Sequence, residues 1–127
     1  MEKNGLFGKN FRLLSAADFQ YLKKNSHLIK DGSLRAYYYP SRLKGIETRI
    51  GLSIPKRIGK GFLRNRIKRL IREKFRLSTY KYLGLDILFV VSGYLKFEKG
   101  DREAENRLLE SLEKLFQLVA QLSKNKS

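Results

Sequence analysis

Hydrophobic and polar positions change period several times along this chain of 127 residues. From Arg49 to Ile54 they alternate strictly: Ile50, Leu52 and Ile54 fall on one side and Arg49, Gly51 and Ser53 on the other. That pattern predicts a strand with one buried face. Leu34–Tyr39 is rich in strand formers and ends at Pro40; alternation puts Tyr37 and Tyr39 on a face with Arg35, and Tyr38 on the other with Leu34 and Ala36. The short loop Ser41–Gly45 between these segments suggests that they pair as a hairpin. Asp86–Ser92 is almost continuously apolar, as expected of a central strand buried on both faces.

Three other segments follow helical spacing. Ser15-Ala16-Ala17-Asp18 resembles a capping box with Asp in place of Glu, and Phe19 and Leu22 follow three apart, predicting a helix from about Ala16 to Lys24. Leu63, Ile67, Leu70 and Ile71 form one stripe, with Phe75 at its margin, in a helix reaching about Leu77. Arg102–Leu122 repeats Leu108, Leu112, Leu115, Val119 and Leu122 on one face. Asn25–Gly32 reads as a turn and Tyr94–Gly100 as a connector; residues 1–10 and 123–127 read as flexible ends. The order helix, strand, strand, helix, strand, helix predicts an α+β fold: a small mixed sheet with three helices, packed as a two-layer α/β sandwich in a single domain, 1–127.

Charge adds a function class to that fold. Lys and Arg number 28 against 12 Asp and Glu, a formal net charge of +16 with a pI near 10.3. Such a surplus repels itself in a compact molecule and makes sense beside a polyanion that neutralises it. Nucleic acid is the leading candidate and an anionic membrane surface the rival. With no cysteine, disulfides and thiolate metal sites are excluded. Met1–Asn10 is polar with no apolar signal core, and the longest apolar run, Ile87–Val91, is too short to span a bilayer. The chain therefore reads as soluble and cytoplasmic.

The surplus is concentrated in Lys56–Arg76, KRIGKGFLRNRIKRLIREKFR, with ten basic residues and one acid. Solvated helix faces usually mix signs, so this imbalance points to polyanion binding. Asn65, Lys68, Arg69, Arg72 and Arg76 lie opposite the apolar stripe, and Arg64 and Arg66 flank it. Arginine supplies planar, bidentate contacts to phosphate. The helix start adds free N–H groups beside Lys56, Arg57 and Lys60, and Gly59 and Gly61 would let a phosphate backbone approach.

Elsewhere the chemistry is sparse. Tyr37, Tyr38 and Tyr39 suit base stacking and ordinary packing about equally, whereas Phe19 on pattern alone favours the core. His27, the sole histidine, reads as a surface turn residue. Asp101, Glu103 and Glu105 suit the start of the last helix. No carboxylate pair, Walker loop or Ser/His/Asp set is visible, so neither catalytic nor metal-ligating residues are expected on this chain.

Arg49-Ile50-Gly51-Leu52-Ser53-Ile54, Lys56-Arg57-Ile58-Gly59, Arg64-Asn65-Arg66-Ile67-Lys68-Arg69 and Arg72-Glu73, with Asp18-Phe19 upstream, together resemble the protein subunit of bacterial ribonuclease P over most of the chain. The resemblance implies an α/β sandwich with a left-handed βαβ crossover. It implies a ribonucleoprotein endonuclease that removes the 5′ leader of precursor tRNA, with the chemistry on the RNA subunit and Mg²⁺ bound mainly by RNA and substrate. It implies RNA binding by Lys56, Arg57, Lys60, Arg64, Asn65, Arg66, Lys68, Arg69 and Arg72, and a substrate-leader cleft at Phe19 and Tyr37. The expected partners are ribonuclease P RNA and precursor tRNA, with no membrane and no obligate protein partner. Three positions depart from the family pattern: Pro55 replaces a small polar residue, Gly61 an alanine, and Lys23 the second aromatic one turn after Phe19, for which Tyr21 or Leu22 could substitute. Two other classes compete, a structural RNA-binding protein of the ribosomal type and a basic membrane-surface module. The last requires large exposed apolar residues beside the cations, of which Phe62 is the obvious one.

Overall fold

A capping box starts the first helix. Asp18 N–H donates to Ser15 Oγ at 3.2 Å and Ser15 N–H donates back to Asp18 Oδ2 at 2.9 Å, so α1 (Ala16–Asn25) begins where the capping sequence expects it. The structure, a computed structural model, describes residues 15–41, 45–92 and 102–125. The expectations for residues 1–10, the connector at 94–100, Asp101 and the last two residues lie outside these, as does most of the loop expected at 41–45.

Asn25–Gly32 is not simply a turn. It contains β1 (His27–Asp31), which pairs antiparallel with β2 (Leu34–Pro40) across Gly32-Ser33. Gly32 has φ 57, a conformation glycine adopts without strain, so Gly32-Ser33 is the turn signal. β1 is an edge strand with His27, Leu28 and Lys30 exposed, so it lacks the apolar alternation that would mark it.

The expected hairpin of the second and third strand segments is also corrected. In the sheet order β1-β2-β4-β3, β4 (Leu85–Val91) lies between β2 and β3 (Arg49–Ser53), antiparallel to the first and parallel to the second. A strand as apolar as β4 gains most in the centre, with neighbours on both sides and cover on both faces. Between β3 and β4 the chain passes through a 3-10 turn at Lys56–Ile58, α2 (Gly61–Arg76) and a second turn at Tyr80–Tyr82. Thr48 locks the two strand entrances: its N–H donates to Lys81 O and its Oγ1 accepts from Leu83 N–H, each at 2.8 Å.

The main core lies on one face of the sheet. Leu34, Ala36 and Tyr38 of β2, Ile50 of β3, and Leu85, Ile87, Phe89 and Val91 of β4 pack there against α2 and α3 (Arg102–Asn125). α3 supplies Leu108, Leu112, Leu115 and Val119 as its spacing predicts, and continues to Asn125, past the expected end at Leu122. Phe116 sits among three rings: Tyr80 at 4.9 Å, Phe89 at 5.4 Å and Phe75 at 5.9 Å between centroids. Phe75 is therefore fully buried at the centre of the α2 stripe, not at its margin. α1 lies on the opposite sheet face, where Leu22 packs on Leu88.

Candidate nucleic-acid interface

The cationic face exists because α2 is seated by its other side. Ile67, Ile71 and Phe75, spaced by four, are fully buried, and Leu63 and Leu70 pack beside them. Asn65, Arg69 and Arg72 consequently stand exposed and Lys68 half-exposed. Ahead of the helix, buried Ile58 anchors the 3-10 turn and leaves Lys56, Arg57 and Lys60 in solvent.

No side chain caps the start of α2, so its first N–H groups point outward with the positive dipole end. A Cβ at Gly61 would meet nothing within 4 Å, so that position is open on the outside. Gly59 is different: a Cβ there would come within 2.8 Å of Leu63 Cδ1, so its smallness serves the packing of Leu63.

The sequence-predicted RNA-binding residues divide into two groups. Among the described residues, Lys56, Arg57, Lys60, Asn65, Lys68, Arg69 and Arg72 make no side-chain hydrogen bond or ion pair. Arg64 Nε donates to Gly59 O at 3.3 Å, tying the helix to the turn before it. Arg66 is engaged side-on by Glu105 of α3: Nε donates to Oε2 and Nη2 to Oε1, both at 2.9 Å. Arg76, on the same face, pairs with Glu73 at 2.7 Å, and this contact holds the Glu73 carboxyl below its ordinary range.

Phe19 and Tyr37 come together on the other face of the sheet. Both pack on the Leu22–Leu88 contact, along with Tyr39 and Val90. Lys23, which replaces the expected aromatic, is exposed, and Leu22 is committed to the core. Tyr21 is the aromatic that α1 adds here, edge-on to Tyr39 at 6.0 Å. His27 is not an isolated turn residue: it sits on β1, 5.4 Å from the Tyr38 ring and 6.0 Å from Tyr39. Strand register extends this face beyond α1 through Lys30, Arg35, Val90 and Ser53, paired in that order, and both cations are exposed. Alternation had placed Arg35 with Tyr37; Lys30 was missed because β1 was missed.

Beneath α1 lies an ion cluster that no local pattern announced. Arg49 Nε donates to Asp86 Oδ1 at 2.9 Å and Nη2 to Asp86 Oδ2 at 2.7 Å. The same guanidinium reaches Asp18 Oδ1 and Oδ2 at 3.4 Å, and all three residues are buried. Burial opposes ionisation of Asp18, but the Ser15 N–H and hydroxyl, with Arg49, outweigh it and hold the carboxyl below its ordinary value. The hydrogen bonds Arg49 donates to Asp86 keep it protonated against its own desolvation. Arg49 thus joins β3, β4 and α1, and fixes the helix that carries Phe19.

Exposed arginines and lysines on a rigid helix bind phosphate, and half-buried rings beside exposed cations accept unpaired bases. Among the described residues, no three His, Asp or Glu side chains converge as metal ligands. No described helix is long and apolar enough to cross a membrane.

Comparison with known proteins identifies the family. The family model for ribonuclease P matches residues 7–119. The ribonuclease P protein component of Caldanaerobacter subterraneus subsp. tengcongensis is 35% identical over 106 residues, covering 83% of this chain and 85% of that protein. That of Clostridium kluyveri is 39% identical over 83 residues, covering 63% and 72%. The structure of a Staphylococcus aureus RNase P protein mutant superposes with a TM-score of 0.74 at 28% identity, covering 87% of this chain and 89% of the other. The chain therefore belongs to the ribonuclease P protein family, the protein component of the endoribonuclease that processes tRNA 5′ ends.

Proposed function

We propose that the α2 face, with Lys56, Arg57 and Lys60 at its start, docks the catalytic RNA of ribonuclease P, and that the Phe19–Tyr37 face holds the single-stranded 5′ leader of precursor tRNA. One observation carries this reading. The exposed cations that form no ion pair among the described residues lie on α2 and the turn before it, over one face of the sheet, and the half-buried aromatics lie on the other. A single protein thereby offers a phosphate-binding surface and a base-stacking surface to two RNAs at once.

The chemistry is assigned to the RNA subunit, with Mg²⁺ held mainly by that RNA and the precursor. The described residues do not fit a Mg²⁺ site: Asp18 and Asp86 are both engaged by Arg49, and no group of three potential metal ligands forms among them. The protein contributes positive charge. It screens the repulsion between catalytic RNA and substrate, and so strengthens substrate and Mg²⁺ binding without supplying a nucleophile. Its partners are ribonuclease P RNA and precursor tRNA, with no obligate protein partner, and it works in the cytoplasm.

The test mixes the protein with a bacterial ribonuclease P RNA and precursor tRNA at low Mg²⁺. Stimulated release of the leader is expected; an unchanged cleavage rate contradicts the proposal.

A further inference from the structure

Glu105 presents a puzzle. It brings a carboxylate from α3 against the helix whose neighbouring cations await a polyanion. By Coulomb's law alone, an acid there weakens RNA binding. The geometry argues the opposite. Glu105 takes Nε and Nη2 of Arg66 in parallel, the arrangement that best fixes a guanidinium plane. The Arg66 side chain remains 44% exposed, while that of Glu105 is only 14% exposed and rises between buried Ala104 and Leu108. The anchor is therefore the inner member of the pair and the cation the outer one. Both hydrogens of Arg66 Nη1, and the second on Nη2, are left without partners among the described residues.

We propose that Glu105 is a positioning residue for RNA docking, holding Arg66 so that the remaining edge of its guanidinium meets a phosphate. A free arginine loses rotamer freedom when it grips a phosphate, and that loss subtracts from affinity. Glu105 removes the freedom before RNA arrives. The pair also keeps Arg66 from turning back onto nearby backbone, as Arg64 does onto Gly59 in the turn before the helix. The inference rests on the reading that α2 docks RNA.

The two accounts of Glu105 predict opposite signs, so affinity for ribonuclease P RNA separates them. Dissociation constants are measured across a salt series for wild type, Glu105→Gln, Arg66→Ala and the double variant. Glutamine keeps the size but replaces one acceptor oxygen with an NH₂, so it cannot receive both bonds. Glu105→Gln is expected to weaken binding by roughly three- to tenfold, the scale of one net hydrogen bond. In the Arg66→Ala background the same change is expected to leave binding unchanged or slightly tighter. The thermal midpoint of Glu105→Gln should stay near that of wild type, because an exposed pair adds little stability.

Tighter binding by Glu105→Gln to the same extent in both backgrounds would overturn the inference, leaving Glu105 as a repelling charge. If Arg66→Ala changes neither affinity nor the slope of log K against log salt, the docking role of Arg66 fails, and the inference with it. Weakening by Arg66→Ala together with tightening by Glu105→Gln sinks the inference alone.

Discussion

On the α2 side of the sheet, Lys56, Arg57, Lys60, Arg69 and Arg72 stand in solvent and form no ion pair among the described residues. On the α1 side, Arg49 is buried between Asp18 and Asp86 and donates to both. The same residue type thus has two uses. An exposed guanidinium without a partner costs the fold little and leaves its donors for phosphate. A buried one requires acids around it, and in return it locks the elements those acids belong to. Substitutions of cations on the two sides should therefore separate stability from docking of ribonuclease P RNA.

The sharpest way to break this contrast is Arg49→Ala. It leaves two carboxylates buried without their cation and should cost about 3–5 kcal/mol of stability. Urea unfolding reads this directly; a loss as small as that of a surface substitution would show that the cluster does not hold α1.

Acid probes the same cluster without changing its shape. The Asp18 carboxyl titrates below its ordinary value of 3.8 in the folded chain. Its stabilising contribution is therefore fully present above that value and disappears as pH falls through the lower, folded one. Asp18→Asn should flatten the stability profile below about pH 3.8. A profile with unchanged slope would remove Asp18 from the account.

Ser15→Ala tests whether α1 depends on its cap as well as on Arg49. Losing the capping hydroxyl should cost about 1 kcal/mol, with docking to ribonuclease P RNA unaffected. The smallest stability effect belongs to Arg69→Ala with Arg72→Ala, at most about 0.5 kcal/mol. The same pair should lower the slope of log K against log salt for that RNA by roughly 1.5. Marked destabilisation by this double variant would erase the distinction between the two sides.

What could be read in advance follows the same division. The α2 face was legible because its apolar stripe and its cations lie within one helix, where spacing alone sorts them. Phe75 was misplaced to the margin because its burial depends on Phe116, a ring on another helix. The strand order was not legible, since β4 enters between β2 and β3 only after α2 has been traversed. Arg49 looked like an outward-facing position on a half-buried strand. Its partners lie 31 and 37 positions away, and one of them had already been explained as a helix cap. Glu105 likewise passed for an acid offsetting a helix dipole, whereas it meets Arg66 across 39 positions. Phe19 and Tyr37 were joined through family resemblance, and in the structure both pack on Leu22 and Leu88.

The proposed separation of catalytic RNA and leader onto different sides of the sheet can be read from the affinity of the assembled holoenzyme for precursor tRNA with and without its 5′ leader. Holoenzyme carrying Phe19→Ala with Tyr37→Ala should assemble on ribonuclease P RNA at the wild-type protein concentration yet lose the advantage the leader confers. Holoenzyme carrying Arg69→Ala with Arg72→Ala should need more protein to assemble but, once saturated, keep that advantage. If either pair of substitutions disturbs assembly and leader preference together, the two surfaces are one, and the account is wrong.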